Sequence, residues 1–231
     1  MFDLLQIADT LTQAIQQDVT STADKTISFF DLIYMGGWIM IPLGLMLLIT
    51  VYVFAERYIA IRQASRIDSN FMNIIRDHIV SGNITAARSF AKNTNNPVAR
   101  IIDKGVQRIG KPINAIESSM DNVGQLEMYK LEKNMLALTV ISRAAPIFGF
   151  VGTLMGLMQL FSQINQAGGD INLAVISQGI YTKLITSITG LVIGLIAFLC
   201  YNYLHAQITR TANKMEASAA DFLDVLQEPT K

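Results

Sequence analysis

Three stretches of this chain run without a charge for the width of a bilayer, and they limit the fold more than any other feature. Met35 to Ala55 is charge-free for 21 residues, Ala144 to Gly169 for 26, and Leu184 to Leu204 for 21. A helix needs about 20 apolar residues to cross a hydrocarbon core of roughly 30 Å. Inside lipid every backbone amide must be satisfied within its own segment, so these runs read as helices rather than strands. The rival reading, buried helices of a soluble core, fails on composition. Charged residues make up only 16% of the 231 and hydrophobic residues 51%, against about 25% charge in soluble domains. The sequence therefore predicts an all-α integral membrane protein. It would have three transmembrane helices and long helical cytoplasmic extensions.

The same composition removes several function classes. Eighteen basic and eighteen acidic residues cancel, which leaves no basic footprint for nucleic acid. A single cysteine, Cys200, allows no internal disulfide and no thiolate cluster. His78 and His205 lie far apart with no ligand spacing, so neither a metal site nor a cofactor is expected, only a transported ion. No Ser/His or Cys/His pairing offers a nucleophilic site. The reading is of a protein that is not an enzyme.

Lysine and arginine set the orientation. Residues 1–34 hold one basic residue, Lys25, against five aspartates, while Arg57 to Arg143 holds 13 of the 18. The link between the second and third spans holds none. The expected order is an external amphipathic segment over 1–30, a first span over 31–59 and a cytoplasmic helical segment over 60–135. A second span over 136–163, a short external loop over 164–171, a third span over 172–205 and a cytoplasmic tail over 206–231 follow. Leu4, Leu5, Ala8, Leu11 and Ile15 recur at helical spacing, which suits a helix on the outer membrane surface or one packed on the protein itself. The opening MFDLLQIADT lacks a basic n-region, so the first span is expected to remain in the mature protein. Ser81-Gly82-Asn83, Asn95-Asn96-Pro97 and Gly110-Lys111-Pro112 punctuate short helices in the middle segment. From Ile113 to Pro146 nothing breaks the pattern, which predicts one long helix running into the second span.

Polar groups in hydrocarbon are costly and are weighed one by one. The second span carries Thr153, and the third carries Thr182, Lys183, Thr186, Ser187 and Thr189. A lone membrane threonine usually bonds its own helix four residues back. Four hydroxyls within eight residues exceed that explanation. They form a polar stripe that suits a wet lumen or a polar partner. Lys183 lies 12 residues past Ile171, about 18 Å along the helix axis. Snorkelling to the outer surface and an ion pair with a partner's acidic residue both remain open for it. Gly152-x-x-x-Gly156 and Gly190-x-x-x-Gly194 are small-residue pairs that let membrane helices approach closely. Gly149 and Pro146 join them as candidate packing positions.

These residues resemble the MotA/TolQ/ExbB proton-channel family, its ExbB/TolQ branch in particular. Ala145-Pro146 followed by Gly149-Phe150-Val151-Gly152-Thr153-Leu154-Met155-Gly156 is similar to that family's AP-x-x-GLLGTV-x-G. Gly179 to Leu191 resembles its GI-x-EALIATA-x-GL, and Glu56-Arg57, Leu131-Glu132 and Tyr201-Asn202 match as well. The likeness spans roughly residues 30 to 215. It implies a homopentamer in a bacterial inner membrane, with the N-terminus periplasmic and the C-terminus cytoplasmic. The second and third spans would line a pore in contact with membrane lipids. An ExbD- or TolR-like single-span partner with a membrane Asp would sit inside it. Ion flow would drive a TonB-like or Tol-Pal-like transducer, energising outer-membrane import or envelope processes. The implied ion-pathway residues are Thr153, Ser187, Thr182, Thr186 and Lys183. Thr182 stands where the family has Glu and Lys183 where it has a small residue, which weakens a strict proton relay. Protons remain the first reading and Na⁺, held by hydroxyl oxygens, the second. The alternative class is a non-conducting membrane scaffold for a partner complex. A solute transporter is disfavoured, since the chain has no internal repeat and no broken-helix pair.

Overall fold

The computed structural model describes residues 37–66, 68, 70–166 and 173–227, except the side chains of 173–175, 178 and 182. The N-terminal segment with Leu4, Leu5, Ala8, Leu11 and Ile15 lies outside the described residues, as does the 167–172 link. Among the described residues the order is α1 (Met40–Ala64), α2 (Phe71–Val80), α3 (Ile84–Asn93), α4 (Pro97–Val106), α5 (Ile113–Glu132), α6 (Met135–Gln166) and α7 (Leu173–Gln227). Three of these, α1, α6 and α7, are long and apolar enough to cross a membrane. No strand occurs among the described residues. The protein is an all-α membrane protein.

Each helix starts and stops for a local reason. Pro42 falls in the first turn of α1, where a missing N–H costs nothing. Asn83 caps α3 by accepting from the Ala86 amide at 3.1 Å. Asn96 caps α4, accepting from the Val98 amide at 2.9 Å, with Pro97 in the first turn behind it. The unbroken helix expected from Ile113 is not formed. Lys133 turns to an extended conformation and Asn134 takes a φ of 64° in the left-handed region. Asparagine tolerates that region better than most residues. Its side-chain amide also donates to the Glu56 carboxylate at 3.2 Å, which fixes the break against α1 about two turns before that helix ends.

Two kinds of core hold the molecule. Between the spans, Leu43 of α1, Ile141 and Ala145 of α6, and Ile193 and Ala197 of α7 pack together. Beyond them α2 to α5 form a small bundle, and the far end of α7 inserts into it. The 55 residues of α7 make a helix roughly 80 Å long at 1.5 Å per residue, far more than one bilayer. Its Met215 and Phe222 are buried against Ile102 of α4 and Met120 of α5. A Cβ on Gly105 would stand 2.5 Å from Phe222 Cε1, so the absent side chain makes room for that ring. Burying a phenylalanine contributes about 1.5–3 kcal/mol. The third span and the bundle are therefore one mechanical unit.

Asn96 ties the bundle to the first span. Its side chain is 2% exposed, and its amide donates to the Ala64 carbonyl at 2.9 Å and the Arg66 carbonyl at 2.7 Å. One side chain thus satisfies the last carbonyl of α1, the Arg66 carbonyl just past it and one amide in the first turn of α4. Replacing Asn96 by Ala removes three hydrogen bonds and leaves buried backbone groups unpaired. About 1–3 kcal/mol is expected for each such group. Asn96→Ala should lower the thermal unfolding midpoint in detergent clearly. Asn96→Ser, which keeps a capping oxygen but loses both donated bonds, should fall between. Equal midpoints for all three proteins would refute the clamp.

Candidate functional site

The seam between α6 and α7 is the most extensive helix contact in the structure. Inside lipid no hydrophobic force draws helices together, so close packing must hold them. The buried face of α6 repeats at helical spacing as Ala145, Gly149, Gly152, Thr153, Gly156 and Leu160. Opposite it α7 presents Gly179, Lys183, Thr186, Gly190 and Gly194. At the closest point backbone meets backbone. A Cβ on Gly190 would lie 2.6 Å from the Ala145 carbonyl oxygen and 2.8 Å from Gly149 Cα. One on Gly149 would lie 3.1 Å from Gly190 Cα and from the Ser187 and Thr186 carbonyl oxygens. A Cβ on Gly194 would meet Pro146 Cγ at 2.6 Å and the Ser142 carbonyl oxygen at 3.0 Å. That carbonyl is the one Pro146 cannot bond. The packing positions read from the sequence meet across one line.

The polar residues lie along the same line. Thr153 is 9% exposed and its hydroxyl donates to the Phe150 carbonyl at 2.7 Å. Thr186 is 1% exposed and its Cγ2 faces Gly152, where a Cβ would stand 2.7 Å away. The Thr186 hydroxyl is buried and has no hydrogen-bond partner among the described residues. Ser187 is half-buried with its carbonyl turned to Gly149. Thr189 donates to the Ile185 carbonyl at 2.9 Å, the ordinary satisfaction of a membrane threonine. Lys183 lays its stem across Gly156, with Cγ, Cδ and Cε where a Cβ would go. Thr182 is in the same helix, and its side chain lies outside the described residues. The outward faces are apolar: Phe150, Leu154 and Met158 on α6, and Leu184, Ile188 and Leu191 on α7 are exposed.

A second polar cluster sits where the spans meet the bundle, and only one part of it is legible in the sequence. The Glu127 side chain is 4% exposed and pairs with Arg100 at 3.1 Å and Lys130 at 2.6 Å. Arg57, also buried, pairs with Glu56 and donates to the Lys130 carbonyl at 3.2 Å. That carbonyl belongs to the last turn of α5, where acceptors lack partners within the helix. Glu56-Arg57 is readable as the flank of a span. The burial of Glu127 leaves no sequence signal, because Lys130 is an ordinary i,i+3 neighbour and Arg100 comes from a different helix. No group of three or more metal-ligating side chains occurs among the described residues.

The seam makes two predictions. Gly190→Ala forces a methyl onto backbone that cannot yield, and overpacking of this kind costs about 1–3 kcal/mol or more. Gly179→Ala meets only the tip of Leu160 at 2.8 Å and should cost less. Thermal midpoints of the two purified variants should fall in that order. Thr186→Val replaces an unpartnered buried hydroxyl by a methyl of the same shape. Removing such a group should stabilise by about 1–3 kcal/mol, read as a raised midpoint. A lowered midpoint would mean that the hydroxyl has a partner in the assembled protein.

Comparison with known proteins gives one consistent result. Residues 93–217 match the model of the MotA/TolQ/ExbB proton channel family. A biopolymer transport ExbB homolog of Methanothermobacter thermautotrophicus is 25% identical over 201 residues, covering 84% of this chain and 70% of its own length. An ExbB-like biopolymer transport protein of Synechocystis is 25% identical over 169 residues, 72% of this chain and 80% of that one. The biopolymer transport protein ExbB of Neisseria gonorrhoeae is 29% identical over 94 residues, 41% of this chain and 42% of its own.

Proposed function

The chain belongs to the MotA/TolQ/ExbB proton channel family, in its ExbB-like branch, and from that premise we propose that it is the multi-span stator of a two-component ion-driven motor. The family is one of channel and transport proteins rather than enzymes. In the proposed assembly five copies enclose an ExbD- or TolR-like single-span partner bearing a membrane Asp. The ion-motive force of the inner membrane becomes motion, passed to a TonB-like or Tol-Pal-like transducer. The N-terminus lies outside and the bundle of α2 to α5 in the cytoplasm, as the lysine and arginine distribution requires.

The observation that carries this reading is the α6/α7 seam. Its two glycine-rich stretches are the family's two membrane motifs, and hydroxyls sit within them in a helix pair with no carboxylate among its described membrane residues. A hydroxyl relays or coordinates a cation without the desolvation cost of a fixed buried charge. Thr153 and Ser187 carry the ion step, with Thr186 behind them and Thr182 in place of the family's Glu. The acid–base group then has to come from the partner. Lys183, held across Gly156, supplies a counter-charge for it. One charge moving through 100 mV releases about 2.3 kcal/mol. That matches the 1–3 kcal/mol typical of an unpaired buried hydroxyl such as that of Thr186. A single ion thus releases energy comparable to the cost of one such buried group. Protons are the first choice of ion and Na⁺ the second.

The sealed position of Thr186 and the apolar outward faces favour one rival, a non-conducting scaffold. Flux in liposomes containing the chain and its single-span partner separates the two. Thr153→Ala and Ser187→Ala should each lower ion-driven activity roughly tenfold or more, the effect of losing one charge-assisted hydrogen bond. Ser187→Thr should retain it, and assembly should be intact throughout. Full activity in both alanine variants would leave the scaffold standing. Repeating the assay in Na⁺ and H⁺ gradients identifies the ion.

A further inference from the structure

We infer that the end of α1 and the middle of α7 form a binding site for the phosphate headgroup of an anionic phospholipid. The site is a groove of about 350 Å³ between the two helices, within the size range of small-ligand pockets. Arg62 in the last turn of α1 and Arg66, two residues past its end, face it together with Tyr58 and Ser65. Tyr203 and Gln207 of α7 close the other side. Every polar side chain in that set is a hydrogen-bond donor or carries one, and no carboxylate lines the groove. Neither arginine is paired with a carboxylate among the described residues.

Arginines beyond a span are common, and a solvated flank needs no ligand. Convergence is what separates this groove from that case. Its donors come from two helices about 140 residues apart in the chain, and arginine forks suit phosphate in a way a point charge does not. The C-terminal end of a helix ordinarily repels an anion. Here the carbonyls of Ala64 and Arg66 are turned to Asn96, which donates to both, so acceptor oxygens do not crowd the groove.

The source of the phosphate follows from depth. Tyr58, Phe54 and Tyr203 form a cluster with ring centroids 6.0 to 6.3 Å apart at the polar ends of α1 and the third span. Aromatic residues gather at the level of lipid headgroups. Basic residues just beyond a span attract anionic lipid there. A free phosphate would have no reason to prefer that depth.

The test uses the whole purified chain, delipidated in neutral detergent. Phosphatidylglycerol, phosphatidylcholine and inorganic phosphate are added separately. Thermal midpoint and retained adducts in native mass spectrometry are read for each. Phosphatidylglycerol should raise the midpoint and remain bound. Phosphatidylcholine and phosphate should do neither. In Arg62→Gln/Arg66→Gln the affinity should fall roughly tenfold or more, the contribution of two basic side chains at an anionic surface. Arg62→Lys/Arg66→Lys, which keeps the charge and loses the fork, should fall between, and serves alone if the glutamine variant does not fold. The inference is overturned by equal effects of the two lipids or by unchanged affinity in the substituted protein. Saturation of the site by inorganic phosphate would make it a soluble-anion site and overturn the lipid assignment. None of these outcomes depends on ion flux, so the site stands or falls apart from the motor reading.

Discussion

Backbone contact between Gly149 and Gly190 sets the distance between α6 and α7, and most of the molecule's behaviour follows from that distance. Lipid offers the helices no hydrophobic reason to associate, so the energy must come from dispersion and from short carbonyl contacts that only glycine permits. At such a separation side chains of the seam have no room to choose rotamers. The Thr186 methyl is pressed against Gly152 and the Lys183 stem against Gly156. The polar groups of the spans are therefore held by packing rather than by hydrogen bonds to one another. A close-packed contact of this kind has few intermediate arrangements, so any rearrangement of it would be between discrete packings.

Two connections tie the seam to the rest of the protein. The helix α7 runs without interruption from the seam to Phe222 in the bundle, so a tilt at one end displaces the other. The second connection is the joint at Asn134. There Glu56 holds the left-handed residue while Arg57 takes a free carbonyl of α5, next to the buried Glu127 with Arg100 and Lys130. A buried ion cluster is weak support for stability, because desolvation consumes much of the attraction. Its geometric effect is firmer: α1 at Glu56-Arg57, the end of α5 and the start of α6 are pinned at one point. Asn96 adds the start of α4. The bundle thus reads the positions of the spans at both of its edges.

Much of this was legible in the residues. Charge-free runs gave the three spans, because the cost of charge in hydrocarbon is large and local in sequence. The small-residue spacing marked positions of close approach, because Gly152 with Gly156 and Gly190 with Gly194 each recur at the helical period, though not that the two sets face one another. Asn96-Pro97 was readable as a helix start, since cap and first-turn proline are a local pattern. The break at Asn134 was not, because a single asparagine in the left-handed region has no composition cue and depends on Glu56, 78 residues away. The burial of Glu127 and the docking of Phe222 beside Gly105 were invisible for the same reason. The hydroxyls of the third span were recognised as one set. Which of them lacks a partner depends on the rotamer that Gly152 allows, and that is a property of packing.

Thr182 and Lys183 mark where this chain departs from the family it belongs to, and the seam gives the departure a physical meaning. A carboxylate inside a span carries both the proton and the charge that the proton neutralises. A threonine in its place carries neither, and a neighbouring lysine adds a charge of the opposite sign. An ion step in such a span has to bring its own counter-charge, and a titrating carboxylate on a second membrane helix is the economical source. Lys183 would then favour the ionised form of that carboxylate and lower the proton's affinity for it. In the proposed motor the hydroxyls of Thr153, Ser187 and Thr186 would guide the ion, a task that depends on their oxygens and hardly on acidity. On the proposed function, a seam built this way is less tied to protons than one with a glutamate, and its ion would be set jointly by this chain and its partner.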